Sequence, residues 1–265
     1  MLKYPNIDPV IFHIYGNVAI RWYSLAYLVG FLLSFLFLKR CNKKLKIVDD
    51  KLCEEYVSWC VIGLIVGARL FDCIVYNFYY TITNFSSIYK IWEGGLSFHG
   101  GAIGLIFATF LFGKFYKVNS IRLFDICSIT IPIGLFFGRI ANFINGELYG
   151  NITYTSPFRM VFPLDNLQEP RHPSQLYEAF CEGICLFIIM ILLFTKTKIS
   201  ERTGLLVGSC GFFYSIFRFI CEFFRKPEIG NILSLTAGQL LSIIMLVISI
   251  IWIWYFNKKY INSKK

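Results

Sequence analysis

The run Val18-Ala19-Ile20-Arg21-Trp22-Tyr23-Ser24-Leu25-Ala26-Tyr27-Leu28-Val29-Gly30-Phe31-Leu32-Leu33-Ser34-Phe35-Leu36-Phe37-Leu38, followed at once by Lys39 and Arg40, decides the kind of fold this chain adopts. A helix needs about 20 mostly apolar residues to cross the hydrocarbon of a bilayer. This run has that length, with Arg21 inside its start and cations at its far end. It lacks a basic leader and a small-x-small cleavage site, so it is expected to be a retained first helix rather than a removed signal peptide.

Six further runs of the same kind are predicted, at about 56–78, 97–113, 123–140, 174–195, 204–221 and 236–256, the third and fourth of the seven being short and interrupted by glycine. Composition agrees. Of 265 residues, 56% are hydrophobic and only 16% charged, against about 25% charged in ordinary soluble domains. A mean hydropathy of +0.60 excludes a disordered chain. The net charge of +10 does not indicate nucleic acid, because the cations fall in short clusters between apolar runs rather than on one solvated face. The fold class expected is an all-α polytopic membrane protein of seven transmembrane helices, one domain over 1–265. A small external head, 147–173, is inserted between the fourth and fifth helices.

The connections set the orientation. Lys39, Arg40, Lys43, Lys44 and Lys46 follow the first run; Lys114, Lys117 and Arg122 the third; Lys196, Lys198 and Arg202 the fifth; Lys258, Lys259, Lys264 and Lys265 the seventh. The alternate connections are poorer in cations. Positive residues stay in the cytoplasm, so the N-terminus is expected outside and the C-terminus inside, in a multi-pass plasma-membrane protein. Trp22, Trp59, Trp92 and Trp252 fall near the run ends, as an aromatic belt requires. The long connection about 141–173 holds Pro157, Pro163, Pro170 and Pro173, and the stretches 152–155 and 158–162 are expected to form short strands. Of the nine cysteines, none in a CxxC pair, Cys60, Cys73, Cys127, Cys185 and Cys210 lie inside apolar runs and read as small hydrophobes, and neither a disulfide framework nor a zinc site is supported.

Ionisable residues inside apolar runs are costly and therefore informative. Arg69 and Asp72 stand at i, i+3, where a structural ion pair facing the bundle accounts for them. Arg218 and Glu222 stand at i, i+4 with Tyr214 on the same stripe; they form either a structural pair or a carboxylate-fixed guanidinium facing an anion. His99 lies in Gly94-Gly95-Leu96-Ser97-Phe98-His99-Gly100-Gly101-Ala102-Ile103-Gly104, where Gly100 and Gly104 make a face for close helix packing. The imidazole there is either a helix-to-helix hydrogen-bond partner or a base. The densest constellation is Gly138-Arg139-Ile140-Ala141-Asn142-Phe143-Ile144-Asn145-Gly146-Glu147-Leu148-Tyr149-Gly150. A guanidinium forks onto two phosphate oxygens, and Glu147 is expected to orient Arg139. A snorkelling helix end is the plainer reading, and the convergence of so many polar groups weighs against it. Arg171-His172-Pro173-Ser174-Gln175-Leu176-Tyr177-Glu178 reads as a helix start that leaves Glu178 one turn inside the membrane and in need of a partner. All these clusters fall at outer helix ends, so the pattern points to a phosphate-competent site near the outer leaflet. There is no metal-ligand spacing, Walker loop or HExxH. A transporter would instead carry its charges near midplane on broken helices, and a non-catalytic lipid-binding protein would need the headgroup site alone.

The run Gly138–Gly150 closely resembles the signature of the bacterial phosphatidylglycerol–prolipoprotein diacylglyceryl transferases. Asp8-Pro9-Val10-Ile11-Phe12, Trp22-Tyr23, Trp92-Glu93-Gly94-Gly95-Leu96-Ser97-Phe98-His99-Gly100-Gly101, Arg171–Glu178 and Phe217-Arg218 through Glu222-Phe223-Phe224-Arg225 resemble further motifs of that family in order. Departures are mild: Glu93 where aspartate is common, Ala141 where glycine is common, and a short head. The resemblance implies transfer of the diacylglyceryl group of phosphatidylglycerol to the lipobox cysteine of a prolipoprotein, with no cofactor and no metal. It implies catalytic roles for Tyr23, His99, Arg139, Glu147, Tyr214, Arg218 and Glu222, and binding of phosphatidylglycerol by Arg139, Asn142, Gly150 and Arg218.

Overall fold

The computed structural model describes residues 1–5, 7–15, 18–90, 94–227 and 235–264. Trp92, Glu93 and Lys265 therefore lie outside the described residues. Six helices are long and apolar enough to cross a membrane, at Trp22–Leu45, Asp50–Tyr76, Ser120–Ile144, Ser174–Lys196, Leu205–Glu222 and Ala237–Asn262. A shorter apolar helix, Phe98–Phe115, occupies the place of the expected third run. By contacts the chain divides into two compact units, residues 1–38 with 125–265, and residues 39–124.

The first unit opens with an antiparallel hairpin, β1 (Val10–Tyr15) and β2 (Val18–Arg21), paired from Val10↔Arg21 to Tyr15↔Val18. This corrects the start of the first span. Val18–Arg21 is strand, and helix α1 begins at Trp22 and runs to Leu45. Val10, Ile11, Phe12, Val18 and Ile20 are β-branched or aromatic, the types that suit a pleated ribbon; read by hydropathy alone they merge into the helix that follows.

In the second unit α2 (Asp50–Phe71) starts on an Asp49 cap whose side chain accepts from the Leu52 amide, and it ends in a π turn, Asp72–Tyr76. A short helix α3 (Phe78–Thr83) and a 3-10 turn (Phe85–Tyr89) lead on towards α4 (Phe98–Phe115). Helices α2 and α4 pack along a seam of small residues. A Cβ on Gly104 would strike the Gly63 carbonyl, and one on Gly67 the Gly100 carbonyl. Backbones that approach this closely admit only glycine. Next along the seam, Tyr56 and Thr109 share a hydrogen bond of 3.0 Å between their hydroxyls.

The remaining helices belong to the first unit, except that α5 (Ser120–Ile144) begins in the second. Beyond α5 come α6 (Ser174–Glu178), a π turn (Ala179–Cys185), α7 (Leu186–Lys196), α8 (Leu205–Glu222) and α9 (Ala237–Asn262). The start of α8 is held by another helix. Asp125 is fully buried, and its carboxylate accepts from the Gly204 and Val207 amides at 2.8 and 3.1 Å. These are donors that a helix start leaves unsatisfied. Helix α9 begins with a capping box, Thr236 and Gln239 exchanging side-chain to backbone bonds of 3.1 Å.

Between α5 and α6, the segment 147–173 forms isolated bridges, Gly150↔Arg225, Ile152↔Arg171 and Met160↔Arg171, in place of the two expected strands. What holds it is a small core of Tyr4, Phe143, Met160 and Phe162 and a buried ion pair. Arg171 donates to both oxygens of Asp165 at 2.7 and 2.9 Å while its guanidinium lies 4.9 Å over the Tyr149 ring. The guanidinium holds the Asp165 carboxyl down to about 2.

Candidate active site

In the first unit, helices α5, α6 and α8, with the π turn after α6 and the segment after α8, bring three guanidiniums onto three carboxylates. Arg139, five residues before the end of α5, reaches Glu178 Oε2 at 2.7 Å. Arg218 in α8 donates to the same oxygen at 2.7 Å and turns its other terminal nitrogen to Glu222 at 2.8 Å. Arg225 donates to both oxygens of Glu178 at 3.4 and 3.5 Å. Glu178 is wholly buried; a charge that deep persists only when paired, and here three cations share it. Glu182, also wholly buried, lies 3.6 Å from Arg218 and 3.9 Å from Arg139. Tyr214, one turn before Arg218, lies in the field of Glu182, Arg218, Arg139 and Glu178.

Helix α9 closes the far side of Glu222. The Thr236 hydroxyl donates to Glu222 Oε1 at 3.0 Å, and a side chain at Gly238 would run into the carboxylate. One residue thus caps α9 and anchors the carboxylate that orients Arg218.

The turn that follows α5 is built differently from expectation. Glu147 does not orient Arg139, whose partners are Glu178 and Glu182. It accepts instead from the side-chain amides of Asn142 at 2.8 Å and Asn145 at 3.3 Å. Gly146 has φ +69° and Leu148 φ +57°, so the backbone reverses sharply on both sides of Glu147. Gln175 Nε2 and Ser174 Oγ tie this turn to the start of α6 through the carbonyls of Glu147 (2.6 Å) and Leu148 (3.0 Å). Gly150 is required by close approach: its amide donates to the His172 carbonyl at 2.9 Å, and a Cβ there would strike the carbonyls of Phe224 and His172. Tyr23 on α1 donates to Tyr27 at 3.1 Å and feels the charges of Glu147 and Arg139.

His99 belongs to the second unit, in the first turn of α4 and exposed, with its ring 6.4 Å from that of Phe71. The same unit explains Arg69. Its guanidinium is 3.8 Å from Asp72, but its hydrogen bonds go to the carbonyls of Ser87, Ile88, Lys90, Gly94 and Gly95. It gathers the connection leading to His99, a structural task.

Among the expected site residues, the structure brings together Arg139, Tyr214, Arg218 and Glu222, and separately Asn142 with Glu147. Glu178, Glu182, Arg225 and Thr236 were not among the expected catalytic and binding residues, although the sequence marked Glu178 as in need of a partner and Arg225 closes a family motif. For the two glutamates a signal existed: i, i+4 spacing inside an apolar run. Arg225 had only its place at the end of a family motif, and Thr236 had none, since it meets Glu222 only through tertiary packing.

Six membrane-length apolar helices, with partly buried arginines converging on buried carboxylates at helix ends, define the class as a helical integral membrane protein with an anion-competent cluster. Residues 9–255 match the family model described as prolipoprotein diacylglyceryl transferase, and the chain belongs to that family. It is 48% identical to the phosphatidylglycerol–prolipoprotein diacylglyceryl transferase of Rickettsia akari (strain Hartford), over 97% of this chain and 100% of that protein. It is 50% identical to the same-named protein of Rickettsia canadensis (strain McKiel), over 92% of this chain and 95% of that protein. The family and its bacterial relatives agree with a multi-pass bacterial membrane protein.

Proposed function

We propose that this protein transfers the diacylglyceryl group of phosphatidylglycerol to the lipobox cysteine thiol of a prolipoprotein, forming a thioether and releasing glycerol-1-phosphate. The observation that carries this reading is the single oxygen, Glu178 Oε2, held at 2.7 Å by both Arg139 and Arg218. Two guanidiniums converging on one anionic oxygen form a cradle for a phosphate oxygen.

The chemistry fits such a cradle. The cysteine sulfur attacks the glyceryl carbon, a C–S bond forms, and the C–O bond to phosphate breaks with its electron pair leaving on the phosphate. No tetrahedral oxyanion forms, so catalysis consists of stabilising charge on the departing phosphate. Arg139 and Arg218 do this, with Glu178 and Glu222 aiming them. Asn142 and Glu147 shape the turn beside the headgroup, Tyr23 and Tyr214 line it, and Gly150 lets the backbone segment of Arg225 close against it. The thiol proton leaves to His99 or to solvent.

In the same reading α4 is a further crossing. Eighteen residues rise about 27 Å, close to the hydrocarbon thickness. With seven crossings, lysines after the first, third, fifth and seventh place the N-terminus outside and the C-terminus in the cytoplasm. The segment 147–173 is then an external head, and the arginine cluster lies near the outer leaflet.

The test is purified protein with phosphatidylglycerol and a lipobox peptide, followed by mass. A diacylglyceryl adduct on the peptide cysteine is expected. Lipid binding without an adduct overturns the reading in favour of a lipid-binding assembly protein, and lipid translocation without one in favour of a transporter.

A further inference from the structure

Glu182 is the member of the cluster for which the proposed chemistry has no use. The π turn Ala179–Cys185 carries it, about one turn beyond Glu178, and it is wholly buried. It faces Arg139 and Glu178 from α5 and α6, and Tyr214 and Arg218 from α8. Glu178 and Glu222 accept hydrogen bonds from these arginines. Glu182 approaches Arg218 to 3.6 Å and Arg139 to 3.9 Å, beyond hydrogen-bonding distance. Neither of its oxygens has a hydrogen-bond partner among the described residues. Buried carboxylates ordinarily collect donors. One that pairs with two guanidiniums at 3.6 and 3.9 Å without a hydrogen bond to either acts on them, and on whatever they bind, through charge.

Resting on the transferase reading, we infer that Glu182 sets which phosphate the arginines retain: it admits the phosphodiester monoanion of the lipid and disfavours the phosphomonoester dianion left after transfer. Three guanidiniums, Arg139, Arg218 and Arg225, stand against three carboxylates, Glu178, Glu182 and Glu222. In a balanced cluster the second negative charge on the product gains little extra attraction. Removing one carboxylate leaves a net cation, which attracts a dianion twice as strongly as a monoanion at the same place. Glu182 is thus a specificity-determining residue that acts through the field at Arg139 and Arg218, and it favours release of glycerol phosphate.

The experiment compares Glu182→Gln and Glu182→Asp with wild type in phosphatidylglycerol-containing micelles. In Glu182→Gln, KM for the lipid should fall about tenfold and inhibition by glycerol-1-phosphate should strengthen about a hundredfold, with kcat reduced by slow release. Glu182→Asp keeps the charge and should keep both constants near wild type. A packing role reverses the pattern, because Gln matches the glutamate in size and Asp does not. Unchanged inhibition in a folded Glu182→Gln protein overturns the inference. Wild type supplies an independent measurement: glycerol-1-phosphate should bind no more tightly than its monomethyl diester, and tenfold tighter binding of the dianion also overturns it. Wild type that forms no adduct strikes the transferase reading itself, whereas transfer without this anion discrimination strikes Glu182 alone.

Discussion

Arg139→Lys conserves charge and loses the fork. A lysine ammonium is a compact point charge that cannot hold Glu178 and a phosphate oxygen in fixed directions together. The variant should lose about 2–4 kcal/mol of transition-state stabilisation, read as kcat/KM for peptide lipidation. Near-normal turnover in a folded variant would reduce Arg139 to a snorkelling helix end. At His99 the two routes to the thiolate separate by pH. A free thiol titrates near 8.5, and general-base help is worth about 10²–10⁴-fold. If the imidazole is the base, His99→Gln is badly impaired at pH 7 and partly recovers by pH 9. A deficit equal at every pH, with lowered thermal stability, would mean that His99 only holds the Gly-rich start of α4. Residues such as Arg139, Arg218 and Glu222 were legible because charge inside an apolar run is costly. The pairing of Arg218 with Glu222 was legible from its i, i+4 spacing, but the partner of Arg139 was not: Glu147 is the carboxylate nearest Arg139 in sequence, yet α6 supplies the one it meets.

Helix α2 meets α4 with no room for side chains along Gly63, Gly67, Gly100 and Gly104. Gly104→Ala should therefore cost about 1–3 kcal/mol of stability by overpacking against the Gly63 backbone, measured as a lowered Tm in detergent. An unchanged Tm would mean that the seam relaxes. The segment 147–173 depends on Asp165 and Arg171, 2% and 3% exposed. Asp165→Asn leaves a buried guanidinium uncompensated and should cost about 3–5 kcal/mol, seen as protease cleavage between 150 and 170. Because the folded carboxyl is held near 2, below its unfolded value, the pair contributes fully above about pH 4. The contribution fades as pH falls towards 2, and cleavage should follow that acid window. Cleavage insensitive to the Asn change would show that the Tyr4–Phe162 core suffices alone. The helices were legible as elements because twenty apolar residues have one use. The hairpin was not, because Val18–Arg21 is as apolar as the helix it precedes and the two merge in hydropathy.

At the scale of the whole molecule, the cation clusters after alternate runs support the proposed orientation. A reporter fused after Lys265 should behave as cytoplasmic, and an external signal would overturn both the seven-crossing count and the outer-leaflet placement of the site. The sequence by itself determined that this is a helical membrane protein, where its long helices lie, with ends up to about seven residues off, its family resemblance, and which charged side chains are exceptional. Those follow from local physics: the cost of exposing backbone or charge to hydrocarbon. Tertiary structure alone decided how the charges are shared. Glu178 pairs with three arginines, from α5, α8 and the segment beyond it. Thr236 caps one helix and anchors the carboxylate of another, Asp125 caps α8 from within α5, and Glu182 is left facing two guanidiniums without a hydrogen bond. A pairing between helices depends on their rotation and depth against each other, which the pattern along any one helix does not contain.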